Sequence, residues 1–227
     1  MNAINESSNS TNDYGPSGRL GAVVLCGGKS SRLGLDKTQL IFREHTFLER
    51  VVELVSQTTD RIVLVGPTDF SQHRLSPQII LEKDLQVNCG PLEGIRVGLK
   101  RLSNDVEFAF VTSCDVPLLK PQLIQLLLDQ IGDHQAIVPF DGKRVYGMTA
   151  IYQTVLHQAI EKRIENKQLR VSELASEFDA RMLDVDSLRE IDPDLDSMTN
   201  INSAKDYRDL LKRFGLEISP EIANRIK

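Results

Sequence analysis

The stretch from Val23 to Lys37 constrains the fold most, because an apolar segment runs directly into a glycine-rich, basic loop. Two adjacent glycines end the apolar segment. Because glycine has no side chain, main-chain N–H groups can approach phosphate oxygens closely at such a point. Three cations in the loop can neutralise the charge of a phosphate ligand: Lys29, Arg32 and Lys37. The stretch therefore predicts a buried strand followed by a phosphate-binding loop.

Two common phosphate-binding motifs do not match this loop. The P-loop pattern G-x-x-x-x-G-K-[ST] requires a glycine at position 23, where this chain has Val23. The dinucleotide pattern G-x-G-x-x-G also fails, because the glycines here are Gly27, Gly28 and Gly34. The loop must belong to another class of phosphate site.

Strand-like and helix-like segments alternate through about the first 130 residues, which favours βαβ units and a parallel sheet. Thr46 opens an S/T-x-x-E capping box and Pro91 suits the first turn of a helix, so both predict helix starts. We expect an α/β fold, a Rossmann-like three-layer α/β/α domain with a mostly parallel sheet. The predicted strands are residues 21–26, 61–66, 78–81, 108–113, 135–140, 148–152 and 181–185.

Composition divides the chain into three parts. Residues 1–18 are rich in serine and asparagine, which predicts a disordered leader and not a secretory signal. Residues 19–215 contain no Pro/Gly/Ser-rich linker, so we expect one domain there, with 216–227 as a C-terminal tail. No apolar run approaches the roughly 20 residues of a membrane span.

Charge and cysteine content limit the partners. The net charge of −5 provides no basic field for nucleic acid. The three cysteines, Cys26, Cys89 and Cys114, are too far apart in sequence for a C-x-x-C pair and suit a reducing compartment. We therefore expect a cytoplasmic monomer that binds neither nucleic acid nor membrane.

Two acids follow predicted strands. Asp84 comes after the third strand and Asp115 directly after the strand at 108–113. Ligands of open parallel sheets bind at the carboxyl ends of strands, where these acids and the basic loop would meet. An aspartate in such a place is also a common turn or cap residue. The coincidence of loop and acids predicts a nucleoside triphosphate site with Mg²⁺.

The loop pattern G-G-x-S-x-R-x-G-x-D-K resembles that of nucleotidyltransferases with a GT-A-like Rossmann fold. Its Asp36-Lys37 ending is most similar to the molybdenum cofactor guanylyltransferases. Three further strings resemble that family, and together they extend the match from about residue 20 to 212: Cys114-Asp115-Val116-Pro117, Asp84 with Gly90-Pro91-Leu92, and Asn200-Ile201-Asn202-Ser203. The chain departs from the family pattern at three places: Cys26 replaces the commoner alanine, Glu93 replaces the usual alanine, and Tyr146-Gly147 replaces His-Pro or Pro-Leu.

The resemblance implies roles on the nucleotide side. Lys37 would bind the triphosphate and stabilise charge at the α-phosphate, assisted by Arg32 as a second catalytic cation. Asp115 would coordinate Mg²⁺, the implied cofactor, and Asp84 would hold the nucleotide. The implied nucleotide-binding residues are Leu25, Cys26, Gly27, Gly28, Lys37, Asp84 and Asp115, with the backbone of residues 25–27 facing the guanine base.

The resemblance also implies the acceptor and the reaction. Asn200, Asn202 and Arg170 would lie near a pterin-side substrate. The enzyme would transfer GMP from GTP to the terminal phosphate of molybdopterin (molybdenum cofactor), releasing pyrophosphate, with molybdoenzyme delivery proteins as candidate partners. A nucleotidyltransferase that uses CTP or a sugar-phosphate acceptor is an open alternative. A non-catalytic nucleotide or cofactor carrier is another.

Overall fold

The computed structural model describes residues 19–27, 33–67, 69–84 and 89–226, which form a central sheet, flanking helices and a small hairpin. The predicted leader, Gly28 and Arg32 lie outside these ranges. The strands are β1 (Leu20–Leu25), β2 (Ile41–Phe42), β3 (His45–Thr46), β4 (Ile62–Val65), β5 (Ile80–Glu82), β6 (Phe108–Ser113), β7 (Ala136–Phe140), β8 (Ala150–Gln153) and β9 (Ala180–Asp184). The helices are α1 (Phe47–Val55), α2 (Pro91–Leu102), α3 (Pro121–Gln130), α4 (His157–Glu165), α5 (Leu174–Glu177), α6 (Ala204–Arg213) and α7 (Pro220–Ala223).

The central sheet has seven strands in the order β5-β4-β1-β6-β8-β7-β9. β1 lies between β4 and β6 and is parallel to both, so Leu25 is level with Val65 and with Ser113. Only β8 runs against its sheet neighbours β6 and β7. The expected α/β fold with a mostly parallel sheet is confirmed. As a result, the carboxyl ends of β1 and β6 lie side by side.

Two cores cover the two faces of the sheet. Alternate residues of β1 point to opposite faces, Val24 toward α1 and α3 and Val23 toward α2 and α4. Glycines let α2 approach β1 closely, since a Cβ at Gly98 would come within 2.4 Å of Val23 Cγ1. Every residue of β1 and β6 is therefore buried, which explains the continuous apolar run of β1 and the apolar first four residues of β6.

A third core lies beside the sheet and joins distant segments. It combines Leu33 and Leu35, from the end of the predicted phosphate loop, with Tyr207 of α6 and Ile222 of α7. The predicted tail therefore contributes buried side chains, which its sequence did not indicate. The domain boundary at residue 215 stays a prediction.

Helix starts follow the expected signals. Thr46 and Ser203 each form a capping box, with Glu49 and Asp206 as the reciprocal acids. Asp36 caps a 3-10 turn at Lys37–Gln39, which lies just before β2. Another 3-10 turn, at Thr154–Leu156, leads directly into α4.

In the ranges that the structure describes, none of the helices combines the length and the apolarity that crossing a membrane requires.

Candidate active site

Asp115 occupies the centre of a hydrogen-bonded cluster just past the end of β6. Its Oδ1 accepts from Ser113 Oγ at 2.5 Å and from Asn200 Nδ2 at 2.8 Å. Its Oδ2 accepts from Lys37 Nζ at 2.6 Å, and the same ammonium donates to Asn202 Oδ1 at 2.6 Å. The structure thus brings together four residues that the sequence predicted in three separate segments. Ser113 is an additional member that sequence reasoning missed.

The Lys37–Asp115 ion pair is largely withdrawn from water. The lysine side chain is 19% exposed and the aspartate side chain 10% exposed. In such surroundings electrostatic interactions are stronger than at a fully solvated surface. Removing either partner leaves the other charge poorly compensated, so each is expected to be sensitive to substitution.

Asp36 fixes the backbone that carries Lys37. Its Oδ1 accepts from Thr38 N at 3.0 Å and from Thr38 Oγ1 at 2.8 Å, and Thr38 is fully buried. An aspartate that bonds the backbone two residues on is a recognisable turn signal. Asp36 therefore holds the turn from which the lysine side chain extends toward Asp115.

The N-terminus of α6 fixes the two asparagines. Asp206 Oδ2 accepts from Asn202 N at 3.0 Å and from Ser203 N at 2.8 Å. Ile201 N donates to the backbone oxygen of Asp115 at 2.9 Å. The segment between Asn200 and Asn202 is thereby tied to both the helix and the end of β6.

At the end of β1, much of the backbone is already engaged within the sheet. Cys26 N donates to Val65 O at 2.7 Å, and Leu25 O accepts from Cys114 N at 3.0 Å. Gly66 lies against Cys26, because a Cβ there would come within 2.4 Å of Cys26 O. Of the three residues predicted to face the base, Gly27 is the exposed one.

Asp84 lies across from Gly27 at the predicted nucleotide edge. A Cβ at Gly27 would be 3.7 Å from Asp84 Oδ2, and one at Gly94 would be 3.3 Å from Asp84 Oδ1. Although the residue as a whole is exposed, partial desolvation of the carboxyl raises its pKa, and the nearby charge of Glu93 raises it further. A carboxylate perturbed in this way beside a binding cleft is a functional-site candidate.

Glu93, which departs from the family pattern, has a structural explanation. It is fully buried and forms two hydrogen bonds with Arg96, at 2.7 Å to Nε and 2.9 Å to Nη2. Glu161 of α4 accepts from the same guanidinium at 3.2 Å. The extra acid is therefore compensated within the packing of α2 against α4.

Two cavities lie on the predicted acceptor side. One, of about 270 Å³, is lined by Asn200 and Asn202, and the other, of about 350 Å³, by Asn200 and Arg170. Arg170 is exposed, with Nη1 at 3.5 Å from Glu173 Oε1. The predicted acceptor residues therefore border adjacent spaces, but only the asparagines contact the Asp115 cluster.

The cysteines behave as buried or partly buried thiols. Cys26 and Cys114 are buried, and Cys89 is partly exposed. Burial, and then the hydrogen bond with Cys114, raise the pKa of Cys26 well above its ordinary value. Cys26 is therefore a neutral thiol at physiological pH.

Asp115 is suited to supply a ligand to a divalent metal that also binds the phosphates of a nucleotide. Among the described residues, no group of three or more His, Cys, Asp and Glu side chains is placed to hold a metal. Mg²⁺ is commonly held by one or two carboxylates together with substrate phosphates and water. The hard carboxylate of Asp115, with a second oxygen facing Lys37, fits that arrangement.

Comparison with known proteins places the chain in a family. The family model of the MobA-like NTP transferase domain matches residues 22–178. Probable molybdenum cofactor guanylyltransferases of Methanosarcina mazei and Methanosarcina acetivorans are 31% identical over 203 residues and 32% over 206, each match covering 84% of this chain and 89% of the relative. The solved molybdopterin-guanine dinucleotide biosynthesis protein A of Archaeoglobus fulgidus has the same fold, with a TM-score of 0.72, 22% identity, and coverage of 87% of this chain and 98% of that one. Because the matched region spans more than half of the chain and includes Lys37 and Asp115, this protein belongs to the MobA-like NTP transferase family.

Proposed function

We propose that this protein transfers GMP from GTP to the terminal phosphate of molybdopterin, forming the guanine dinucleotide cofactor and pyrophosphate. The observation that carries the proposal is the cluster of Lys37, Asp115, Asn200 and Asn202 at the carboxyl ends of β1 and β6. The names of the two Methanosarcina relatives support the choice of substrates.

The reaction needs positioning and charge stabilisation more than proton transfer. A phosphate monoester oxygen attacks the α-phosphorus of GTP, the α–β anhydride bond breaks, and pyrophosphate leaves with its electron pair. Because the nucleophile is already an anion, no protein general base is required. Lys37 neutralises the charge that develops at the α-phosphate, and Asn202 keeps its ammonium directed at the cleft.

The other residues bind and orient. Asp115 would hold the divalent metal, which we propose to be Mg²⁺ and which would neutralise charge on the triphosphate. Asp84 and the backbone at Leu25, Cys26 and Gly27 would hold the nucleotide. Gly28 and Arg32, outside the described residues, keep their predicted roles in phosphate binding and catalysis.

We propose the cytoplasm as the site of the reaction. The three cysteines, Cys26, Cys89 and Cys114, are odd in number and widely spaced, which suits a reducing compartment. The monomeric state and transfer of the product to molybdoenzyme delivery proteins stay predictions.

The test is pyrophosphate release with molybdopterin and each of GTP, CTP, ATP and UTP. We expect turnover with GTP, and strong turnover with CTP but none with GTP would refute the proposal. Lys37→Ala and Asp115→Ala are each expected to lower kcat/KM at least about a thousandfold, because each removes a charge that acts at the reacting centre.

Lys205→Ala is the matched control, since it deletes an exposed lysine that pairs with Asp209 on the surface of α6. It should retain wild-type activity. Circular dichroism of all three variants checks that the fold is kept. Wild-type rates of pyrophosphate release in Lys37→Ala or Asp115→Ala would contradict the proposed mechanism.

A further inference from the structure

Three residues line both cavities on the acceptor side: Arg144, Tyr146 and Asn200. Asn200 Nδ2 is 2.8 Å from Asp115 Oδ1, so both cavities open beside the reacting cluster. The larger, of about 350 Å³, is of a size that accommodates small-molecule ligands. Whatever group approaches Asp115 from this side passes Arg144 and Tyr146.

Arg144 presents an exposed cation to this space. Its guanidinium is exposed and lies 4.7 Å from the centre of the Tyr146 ring. Within the part of the chain that the structure describes, no carboxylate lies within 4.0 Å of it. The other cation on these walls, Arg170, has Glu173 at 3.5 Å. Arg144 is therefore the cation here with its hydrogen-bonding capacity open to a ligand.

The loop that carries Arg144 is held in place before any ligand binds. Asp141 Oδ1 accepts from Lys143 N at 2.9 Å and from Arg144 N at 2.7 Å. Asp141 Oδ2 accepts from Tyr146 Oη at 2.9 Å, which fixes the ring on which Arg144 stacks. These bonds also lower the pKa of Asp141, so the carboxylate is ionised at physiological pH.

Gly147 fixes the other end of the loop. A Cβ at this position would come within 2.7 Å of Val171 Cγ1, so a larger residue would push the loop away. The buried Tyr152 donates its hydroxyl to Gly147 O at 2.9 Å. The Tyr146-Gly147 pair thus replaces the family's usual residues with a ring platform and a close backbone contact.

We propose that Arg144 binds the phosphate monoester of the acceptor, and that Tyr146 is a positioning residue that holds the guanidinium at the mouth of both cavities. The inference rests on the proposed function and names the group that recognises its second substrate. A guanidinium can bind a phosphate through two parallel hydrogen bonds, and an anionic acceptor that approaches Asp115 and Asp194 needs such a cation.

The experiment compares Arg144→Ala with Lys143→Ala, which removes the same charge one residue away and outside both cavities. Pyrophosphate release is measured with molybdopterin varied at saturating GTP, and then with GTP varied. We expect Arg144→Ala to raise KM for molybdopterin roughly tenfold to a hundredfold and to change KM for GTP less than about twofold. Lys143→Ala should change neither constant.

Three further variants separate recognition from folding. Arg144→Lys should recover only part of the affinity, because an ammonium cannot bind phosphate in the planar bidentate manner. Tyr146→Ala should raise the same KM by a smaller factor than Arg144→Ala does. Tyr146→Phe keeps the ring but loses the bond to Asp141, so it should raise this KM less than Tyr146→Ala. An unchanged KM for molybdopterin in Arg144→Ala, or a rise confined to GTP, would overturn the inference.

Direct binding distinguishes this inference from the proposed function. The fluorescence of the pterin reports molybdopterin binding to wild type and Arg144→Ala without turnover. If wild type binds molybdopterin but releases no pyrophosphate, the proposed function fails, and weaker binding by Arg144→Ala still supports the inference. If wild type turns over and both proteins bind molybdopterin equally, only the inference fails.

Discussion

Lys37 and Asp115 retain unused hydrogen-bonding capacity after they have paired with each other. A lysine ammonium has three donors, of which Asp115 and Asn202 take two. A carboxylate offers about four acceptor sites, and Ser113, Asn200 and Lys37 use three. One donor and one acceptor site therefore stay available, which lets a phosphate and a metal bind without breaking the cluster.

The variant Asp84→Asn tests whether the Asp84 carboxylate contributes to GTP binding while it lowers the stability of the folded protein. Because its pKa is raised in the folded protein, ionisation is less favourable there than in the unfolded chain. The resulting destabilisation grows as pH rises through the ordinary aspartate range near about 3.9 and is fully present at neutral pH. We expect Asp84→Asn to raise Tm at pH 7 and to weaken GTP binding about tenfold.

Thermal unfolding between pH 4 and 8, with titration calorimetry for GTP, measures both effects. The gain in Tm should shrink as pH falls toward the ordinary aspartate pKa. Asp133→Asn, at an exposed turn after α3, is the control and should alter neither quantity. A lower Tm for Asp84→Asn at neutral pH would contradict the electrostatic explanation.

At the scale of elements, local patterns predicted the helix starts and strands well. The capping boxes at Thr46 and Ser203 depend on residues three apart, so sequence alone identifies them. The turn at Lys37–Gln39 was missed because a short polar stretch carries little periodicity, although Asp36 contained the signal. Glu93 and Arg96 are also three residues apart on α2, but only the structure shows that both are buried and that Glu161 of α4 contacts the same guanidinium.

Helix α6 links the two halves of the catalytic cluster, and Tyr207→Phe tests that link. Tyr207 Oη donates to Ile41 O at 2.7 Å, while the start of the same helix holds Asn202. Removing the hydroxyl leaves the Ile41 carbonyl without this partner, and we expect a loss of about 1–3 kcal/mol in the free energy of unfolding. Because the Lys37 turn lies just before Ile41, kcat should fall several-fold with KM for GTP little changed.

Urea unfolding and steady-state kinetics check this expectation. Arg208→Ala, on the exposed surface of α6 next to Tyr207, is the control and should leave both properties within experimental scatter. If Tyr207→Phe loses stability but keeps the wild-type kcat, α6 supports the fold without positioning Lys37.

At the scale of the whole molecule, the site is built from segments that only the fold brings together. Resemblance identified Lys37, Asp115 and the two asparagines, because each lies in a recognisable string. Ser113 and Arg144 lie in no such string, and neighbours distant in sequence indicate their roles. Ser113 forms a hydrogen bond with Asn200. Arg144 lines a cavity together with Asn200. Sequence reasoning therefore named Lys37, Asp115 and the two asparagines, which the structure brings together, whereas Ser113 and Arg144 required the three-dimensional arrangement.

The C-terminal segment also contributes to the whole molecule, and Ile222→Ala tests this role. Ile222 is 2% exposed and belongs to the core that contains Leu33 and Leu35, at the end of the predicted phosphate loop. Truncating a buried isoleucine typically costs about 2–5 kcal/mol, so we expect the urea midpoint to fall clearly. Because this core supports the loop's end, KM for GTP should rise as well.

Glu221→Ala, on the exposed side of α7, should stay within about 0.5 kcal/mol of wild type. Equal midpoints for both variants would show that the segment is not part of the folded core.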